Sequence, residues 1–284
     1  MKLITWNVQW FCGLDGRIDI GRVLRTAREW ADFDVLCLQE VAVNYPALQG
    51  DASHDQPALL RAALPGFEVA FAPAVDELAA DGRSRQRFGN LIATRLPLLQ
   101  LQPQLLPYPA DAGVRSMPRV ALTATLRAAW GPLRVTTTHL EFYSQTQRAA
   151  QAEALRALHA QAAAQAAAPP LHDTSGGPFQ AKAHTVDAIL TGDFNCDAAS
   201  PEYAGLVAPQ GEATLHDSWR LRHGDAPQPP TFHVFDKRYS PDPVPCDFIF
   251  VSDSLRRRVR RVEVDSQTRD SDHQPVLLEL DDGA

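Results

Sequence analysis

Ten short apolar runs, rich in β-branched residues, punctuate the 284-residue chain. They occupy residues 3–8, 34–41, 67–72, 90–96, 120–126, 133–140, 188–194, 247–251, 259–264 and 275–280. Each has the length of a strand rather than of a helix. Ten strands are too many for one ordinary flat sheet, so two packed sheets are expected. Helices are expected between them at 20–30, 56–63 and 145–168. The last opens with "SQTQ", where Ser144 is placed as N-cap and Gln147 as its capping-box partner. Pro169 and Pro170 then stop its alanine-rich end.

A chain that is 45% hydrophobic at this length can bury a substantial core. Length alone would allow two domains, but no internal repeat is visible, and residues 1–284 read as a single domain. No stretch approaches the roughly 18 continuous apolar residues that cross a bilayer. The opening "MKLITWNVQWF" reads as a strand, without the charged start and small-residue cleavage site of a signal peptide. A cytoplasmic, monomeric protein is the expectation. Cys12, Cys37, Cys196 and Cys246 show no CxxC spacing, so neither disulfides nor a zinc site is indicated. A formal net charge of −7 argues against a broad electrostatic grip on nucleic acid, though not against a local basic patch. Two long polar loops, 169–187 and 223–245, have the length of lids or poorly ordered segments. The first is expected to be mobile and close to any cleft.

The strand ends carry residues that strand propensity would not place there. "AILTGDFN" presents Asp193 and Asn195 two residues apart, on one face of the strand end. An Asx turn would explain that pair alone. Asn7 ends "LITWN", Gln39 and Glu40 end "DVLCLQE", and His139 and Glu141 end "LRVTTTHLE". Asp247 begins "DFIFVS", and Asp272 and His273 directly precede the final run. Singly these are turn formers, solvated termini or structural histidines. Jointly they include the carboxylates, amides and imidazoles needed for metal-assisted attack on phosphorus. Hard oxygen donors of this kind suit Mg²⁺ or Mn²⁺ rather than zinc.

"TWN", "LQE", "THLE", "GDFN", "DFIF" and "SDH", in this order and spacing, resemble the endonuclease/exonuclease/phosphatase superfamily of deoxyribonuclease I-like phosphohydrolases. The resemblance spans residues 3–280. It implies an α/β fold, a four-layer α/β/β/α sandwich of two mixed β-sheets flanked by helices. It also implies that Glu40 is the principal ligand of the metal, with Asn7 supporting metal and phosphate and Asp272 in the metal-proximal pair. Asp193 would orient or deprotonate the attacking water, and Asn195 would hold a phosphoryl oxygen. His273 would contact the scissile phosphate, with Asp247 orienting its imidazole. His139 stands where deoxyribonuclease I and sphingomyelinases have histidine and apurinic endonucleases have tyrosine. Arg119 matches an arginine near the phosphate, with Arg115 competing for that alignment. The implied function is divalent-metal-dependent hydrolysis of a phosphodiester or phosphomonoester. A sequence-nonspecific nuclease and a non-catalytic binding module are the alternatives. The implied partner is a phosphoester substrate, with a small molecule and nucleic acid both open.

Overall fold

Every one of the ten apolar runs is a strand in the computed structural model, which describes residues 1–238 and 241–283. Residues 239 and 240 of the 223–245 loop thus lie outside the described residues. The first half of the chain runs β1 (Lys2–Asn7), α1 (Ile20–Trp30), β2 (Val35–Tyr45), β3 (Ala52–Asp55), α2 (Gln56–Ala63), β4 (Glu68–Leu78) and β5 (Arg85–Thr94). It continues as β6 (Leu98–Leu105), β7 (Val120–Ala128), β8 (Gly131–His139) and α3 (Gln145–Ala167). The last third is β9 (Ala188–Asp193), α4 (Pro201–Leu206), β10 (Leu215–Asp217), α5 (Ser218–His223), β11 (Asp247–Ser252), β12 (Val259–Val264) and β13 (Val276–Leu280).

Two mixed sheets result. One has the order β12-β13-β1-β2-β5-β4, with β3 paired to β2; the other has the order β10-β11-β9-β8-β7-β6. Alternation along the strands creates the layers. In β1 and β2, Leu3, Val35 and Cys37 point between the sheets, against Leu122, Val135 and Ile189. Their neighbours Ile4, Leu36 and Leu38 point outward, beneath Val23, Leu24 and Leu60 of α1 and α2. On the far side Leu190, Phe248 and Phe250 meet Leu155 of α3 and Tyr203 of α4. The chain is therefore the four-layer α/β/β/α sandwich.

Several elements were not foreseen. β6, "LLQLQPQL", is an edge strand with Leu101 and Leu105 exposed, so burial never imposed a clean apolar pattern on it. β3 and β10 hold four and three residues, and α4 and α5 six each. Such lengths carry little periodic signal. Ser144 does cap α3, its Oγ accepting from Gln147 N at 3.1 Å. The reciprocal half of the capping box is absent, because the Gln147 side chain donates instead to the Pro109 carbonyl at 2.9 Å.

Candidate active site

The parallel pairs, β1–β2 and β8–β9, lie at the centres of their respective sheets. Parallel neighbours end at the same edge, which puts Asn7 beside Gln39 and His139 beside Asp193 in register. β11 runs antiparallel to β9, so its first residue, Asp247, pairs with Asp193. β13 runs antiparallel to β1. The residues that precede it, Asp272 and His273, therefore arrive at the edge where β1 ends. Topology alone thus gathers seven of the nine expected residues, Asn195 and Arg119 excepted.

Local backbone conformations complete the placement. A β-bulge interrupts the β2–β5 pairing between Leu38 and Val41, and within it Glu40 adopts φ 60°. A non-glycine residue held there costs of order 1–3 kcal/mol, a strain typical of functional sites. Gly192 (φ 138°) precedes Asp193, and a Cβ on it would lie 1.9 Å from the Thr138 carbonyl oxygen. Only glycine lets β9 approach β8 so closely at the point where Asp193 is presented. Asn195 is also left-handed, at φ 49°. Its backbone N–H donates to Asp193 Oδ1 at 2.9 Å, and its amide Nδ2 donates to the Leu140 carbonyl at 2.8 Å. The Asx turn is therefore real, and it positions the pair within the cleft.

That cleft has a volume of about 370 Å³ and is lined by Glu40, Arg119, His139, Asp193, Asn195, Asp272 and His273, with Arg115 also in its wall. Asn7 and Asp247 are buried behind them. Asn7 bridges the sheets: its Nδ2 donates to Asp193 Oδ2 at 3.0 Å and to Glu40 Oε1 at 3.2 Å. Its Oδ1 accepts from Gln9 N, so the amide presents its N–H groups, and not its oxygen, to the carboxylates. Asp247 Oδ2 lies 2.8 Å from His273 Nδ1, and the other face of this arrangement has His273 Nε2 3.6 Å from Asp193 Oδ2. His139 Nε2 lies 3.4 Å from the same Asp193 oxygen. Both alternative arginines are present. Arg119 is buried, donates from Nε to Glu141 Oε2 at 3.1 Å, and has an unpartnered Nη1. Arg115 is exposed, 5.7 Å above the Tyr143 ring.

The two histidines are driven in opposite directions. Burial, reinforced by Arg119, pushes His139 down to about 3, so it is neutral. Burial also opposes charge on His273, but Asp247 and Asp193 overcome it and push this imidazole up to about 10. Burial likewise opposes ionisation of Asp193, yet the His273 charge and the Asn7 and Asn195 N–H groups keep it below the usual carboxylate range. Glu40 is pushed up to about 7, first by burial and then by the Asp272 charge. Neither Glu40 nor Asp272 pairs with Lys or Arg among the described residues.

Ligand-type atoms of Asp193, Cys246, Asp247 and His273 also lie within 4.8 Å of one another. Within that group Asp247 Oδ2 holds His273 Nδ1, burial keeps the Cys246 thiol protonated, and Asp247 Oδ1 is buried without a partner.

Sequence reasoning missed Gln9, whose Nε2 donates to Asp272 Oδ2 at 2.7 Å. It also missed Phe232, whose ring stacks on His273 at 4.3 Å and 18°. Gln9 lies two residues after Asn7, a spacing that offered a weak signal; Phe232 offered none. Conversely, no residue of 169–187 lines the cleft among the described residues, and Leu171 and Phe179 there are 91% and 88% exposed. The expectation of a lid beside the site is not met.

Residues 4–273 match the model of the Endonuclease/Exonuclease/phosphatase family. No curated protein matches the chain. Among solved structures, an endonuclease/exonuclease/phosphatase from Beutenbergia cavernae DSM 12333 is 22% identical with a TM-score of 0.69, covering 99% of this chain and 71% of its own. A mannosyl-6-phosphatase from Bacteroides thetaiotaomicron is 20% identical with a TM-score of 0.64, over 99% of both chains. A 3′ phosphatase from Neisseria, bound to a product DNA hairpin, is 20% identical with a TM-score of 0.60, again over 99% of both.

Proposed function

Because the chain belongs to the endonuclease/exonuclease/phosphatase family, we propose that it is a divalent-metal-dependent hydrolase that cleaves a phosphoester by in-line attack of water. The observation that carries this reading is the buried Asp193 carboxylate, held between a neutral His139 and a protonated His273 in the wall of the cleft that Glu40 and Asp272 also line. The complete set in one cleft supports catalysis over a binding module.

The residues fit a hard divalent ion. Glu40 and Asp272 are oxygen donors that pair with no Lys or Arg among the described residues, and burial, with the Asp272 charge second, raises the Glu40 carboxyl. These two would hold Mg²⁺ or Mn²⁺, with the Asn7 amide fixing Glu40, and the ion supplies Lewis-acid neutralisation of the phosphoryl charge. The chain's own residues do the rest. Asp193, ionised and anchored by Asn7 and Asn195, orients the water and accepts its proton as attack proceeds. His273, kept protonated and correctly turned by Asp247, donates from Nε2 to a phosphoryl oxygen as charge builds there. His139 and the remaining Asn195 N–H add neutral donors. Arg119 offers its unpartnered Nη1 as a fixed positive charge behind the phosphate.

The test is a panel of phosphomonoesters, phosphodiesters, phospholipids and nucleic acids assayed with Mg²⁺ or Mn²⁺. Turnover should vanish on chelation, return with either ion, and be lost in Glu40→Gln. Turnover that survives exhaustive chelation would overturn the proposal.

A further inference from the structure

A continuous series of rings leads from the catalytic imidazole to the rim of the cleft. His273 stacks on Phe232 at 4.3 Å. Phe232 meets Phe142 edge-on at 6.3 Å, and Phe142 meets Tyr143 edge-on at 4.8 Å. Arg115 covers the Tyr143 ring at the outer end. Exposure rises along the series: Phe232 is 7% exposed, Phe142 37% and Tyr143 48%. Large aromatic rings left open beside a buried polar site are not explained by folding, which would bury them.

The backbone that carries the outer rings is also anchored. Tyr143 N donates to Glu141 Oε1 at 3.0 Å, and Arg148 Nη1 donates to the carbonyls of Glu141 and Phe142. The N-cap Ser144 follows immediately. The backbone beneath the platform is thus set in advance of any ligand, which limits the entropy lost on binding. The other side of the cleft is lined by Trp10, which follows β1, by Tyr45 at the end of β2, and by Leu48 just beyond it. An apolar, ring-rich space therefore lies directly beyond the phosphate position.

Charge decides what kind of molecule enters. Two arginines and no lysine line the cleft among the described residues, and Arg119 is paired with Glu141. Among the described residues that line the cleft, Arg115 alone is left as an exposed cation without an ion pair. A nucleic-acid strand needs several phosphate contacts for a firm grip, and this cleft offers one phosphate position and one rim guanidinium. We propose that Phe142, Tyr143 and Arg115 form a specificity subsite that takes a flat aromatic ring carried by the scissile phosphate of a small phosphoester. The proposal rests on the phosphoester reading of the site. An aryl group and a nucleobase share the required chemistry, a planar π-face, and the test separates them.

The experiment measures binding as well as turnover. Benzylphosphonate and cyclohexylmethylphosphonate match in size and charge and differ in aromaticity. Calorimetric titration with each, in the presence of Mn²⁺, should show the benzyl compound binding about three- to tenfold more tightly. In the Phe142→Leu/Tyr143→Leu variant the ratio should fall to about one, with the far-UV spectrum confirming that the fold is kept. The corresponding phosphate esters, whose alcohols have similar acidity, should show the same ratio in kcat/KM. Comparing adenosine 5′-monophosphate with ribose 5-phosphate then assigns the ring. A nucleotide advantage exceeding the benzyl advantage identifies a nucleobase, and the reverse identifies a simple aryl group; either supports the subsite. Equal affinities for the benzyl and cyclohexylmethyl compounds would overturn it. So would a preference that survives the double variant, or an oligonucleotide that binds more tightly than its mononucleotide with steep salt dependence. Hydrolysis without aromatic preference would remove the subsite alone. Aromatic preference without any hydrolysis would instead remove the proposed function.

Discussion

Replacing Glu40 with Gln should make the chelated protein more stable, although it disables the site. Burial and the neighbouring Asp272 charge hold the Glu40 carboxyl at about 7, against 4.5 for the free group. Each tenfold change in proton affinity is worth about 1.4 kcal/mol, so ionised Glu40 costs the metal-free fold about 3 kcal/mol. The sign follows from the folded value lying above the unfolded one. Below pH 4.5 both states are protonated and the cost is absent; it grows between 4.5 and 7 and is complete above 7. Gln keeps the shape and can still accept the Asn7 amide hydrogen, while it removes the repulsion from Asp272 and Asp193. Urea unfolding in EDTA at pH 8 should therefore show Glu40→Gln more stable by about 2–3 kcal/mol, a rise in Tm of roughly 5–10 °C. The advantage should disappear near pH 4.5. Saturating Mn²⁺ should restore the parent, which gains about 2.7 kcal/mol at a hundred times Kd, while the variant gains little. A variant less stable than the parent at pH 8 in EDTA would refute the claim that burial and the Asp272 charge make ionised Glu40 costly to the metal-free fold.

Three further outcomes are expected. His273→Ala should slow turnover roughly a hundredfold or more. Asp247→Asn should also slow it, and the double variant should be little slower than His273→Ala alone, because both act through one imidazole. Losses in kcat that multiply would show that the two residues act independently. Glu141→Ala leaves the Arg119 guanidinium buried without its partner; breaking such a pair costs about 3–5 kcal/mol, seen as a Tm lowered by roughly 10 °C. A fall of under about 2 °C would remove this pair from the site's framework. Replacing residues 171–182 with a short glycine-serine linker should leave both Tm and substrate preference nearly unchanged, since this segment is exposed and lines no part of the cleft. A shift of tenfold in relative kcat/KM would reinstate it as a lid.

What the sequence revealed depended on range. The ten apolar runs were legible because strand propensity and, in most of them, burial act together, as in "VLCLQE" of β2. β6 escaped because an edge strand needs only one paired side, and Pro103 and its glutamines satisfy solvent on the other. The site's polar residues were legible as anomalies at strand ends, and parallel pairing at the centre of each sheet explains why those ends converge. The relations between them were not legible. That Asn7 would face Asp193 with its N–H groups, or that Glu141 would lock Arg119 away, depends on contacts 186 and 22 residues apart. Gln9 and Phe232 were invisible for the same reason, since neither has a role until the chain closes around Asp272 and His273. The bulge at Glu40 was equally hidden, because nothing in "LQEV" announces a left-handed glutamate.

The most direct test of the central claim follows the oxygen atom. A phosphomonoester turned over with Mn²⁺ in ¹⁸O-enriched water should release phosphate carrying one solvent oxygen, and an alcohol carrying none. The label should appear only with the ion present, and its rate of appearance should collapse in Glu40→Gln. Label in the alcohol, or labelled phosphate formed at the parent's rate under chelation, would contradict metal-assisted attack of water on phosphorus at this cleft.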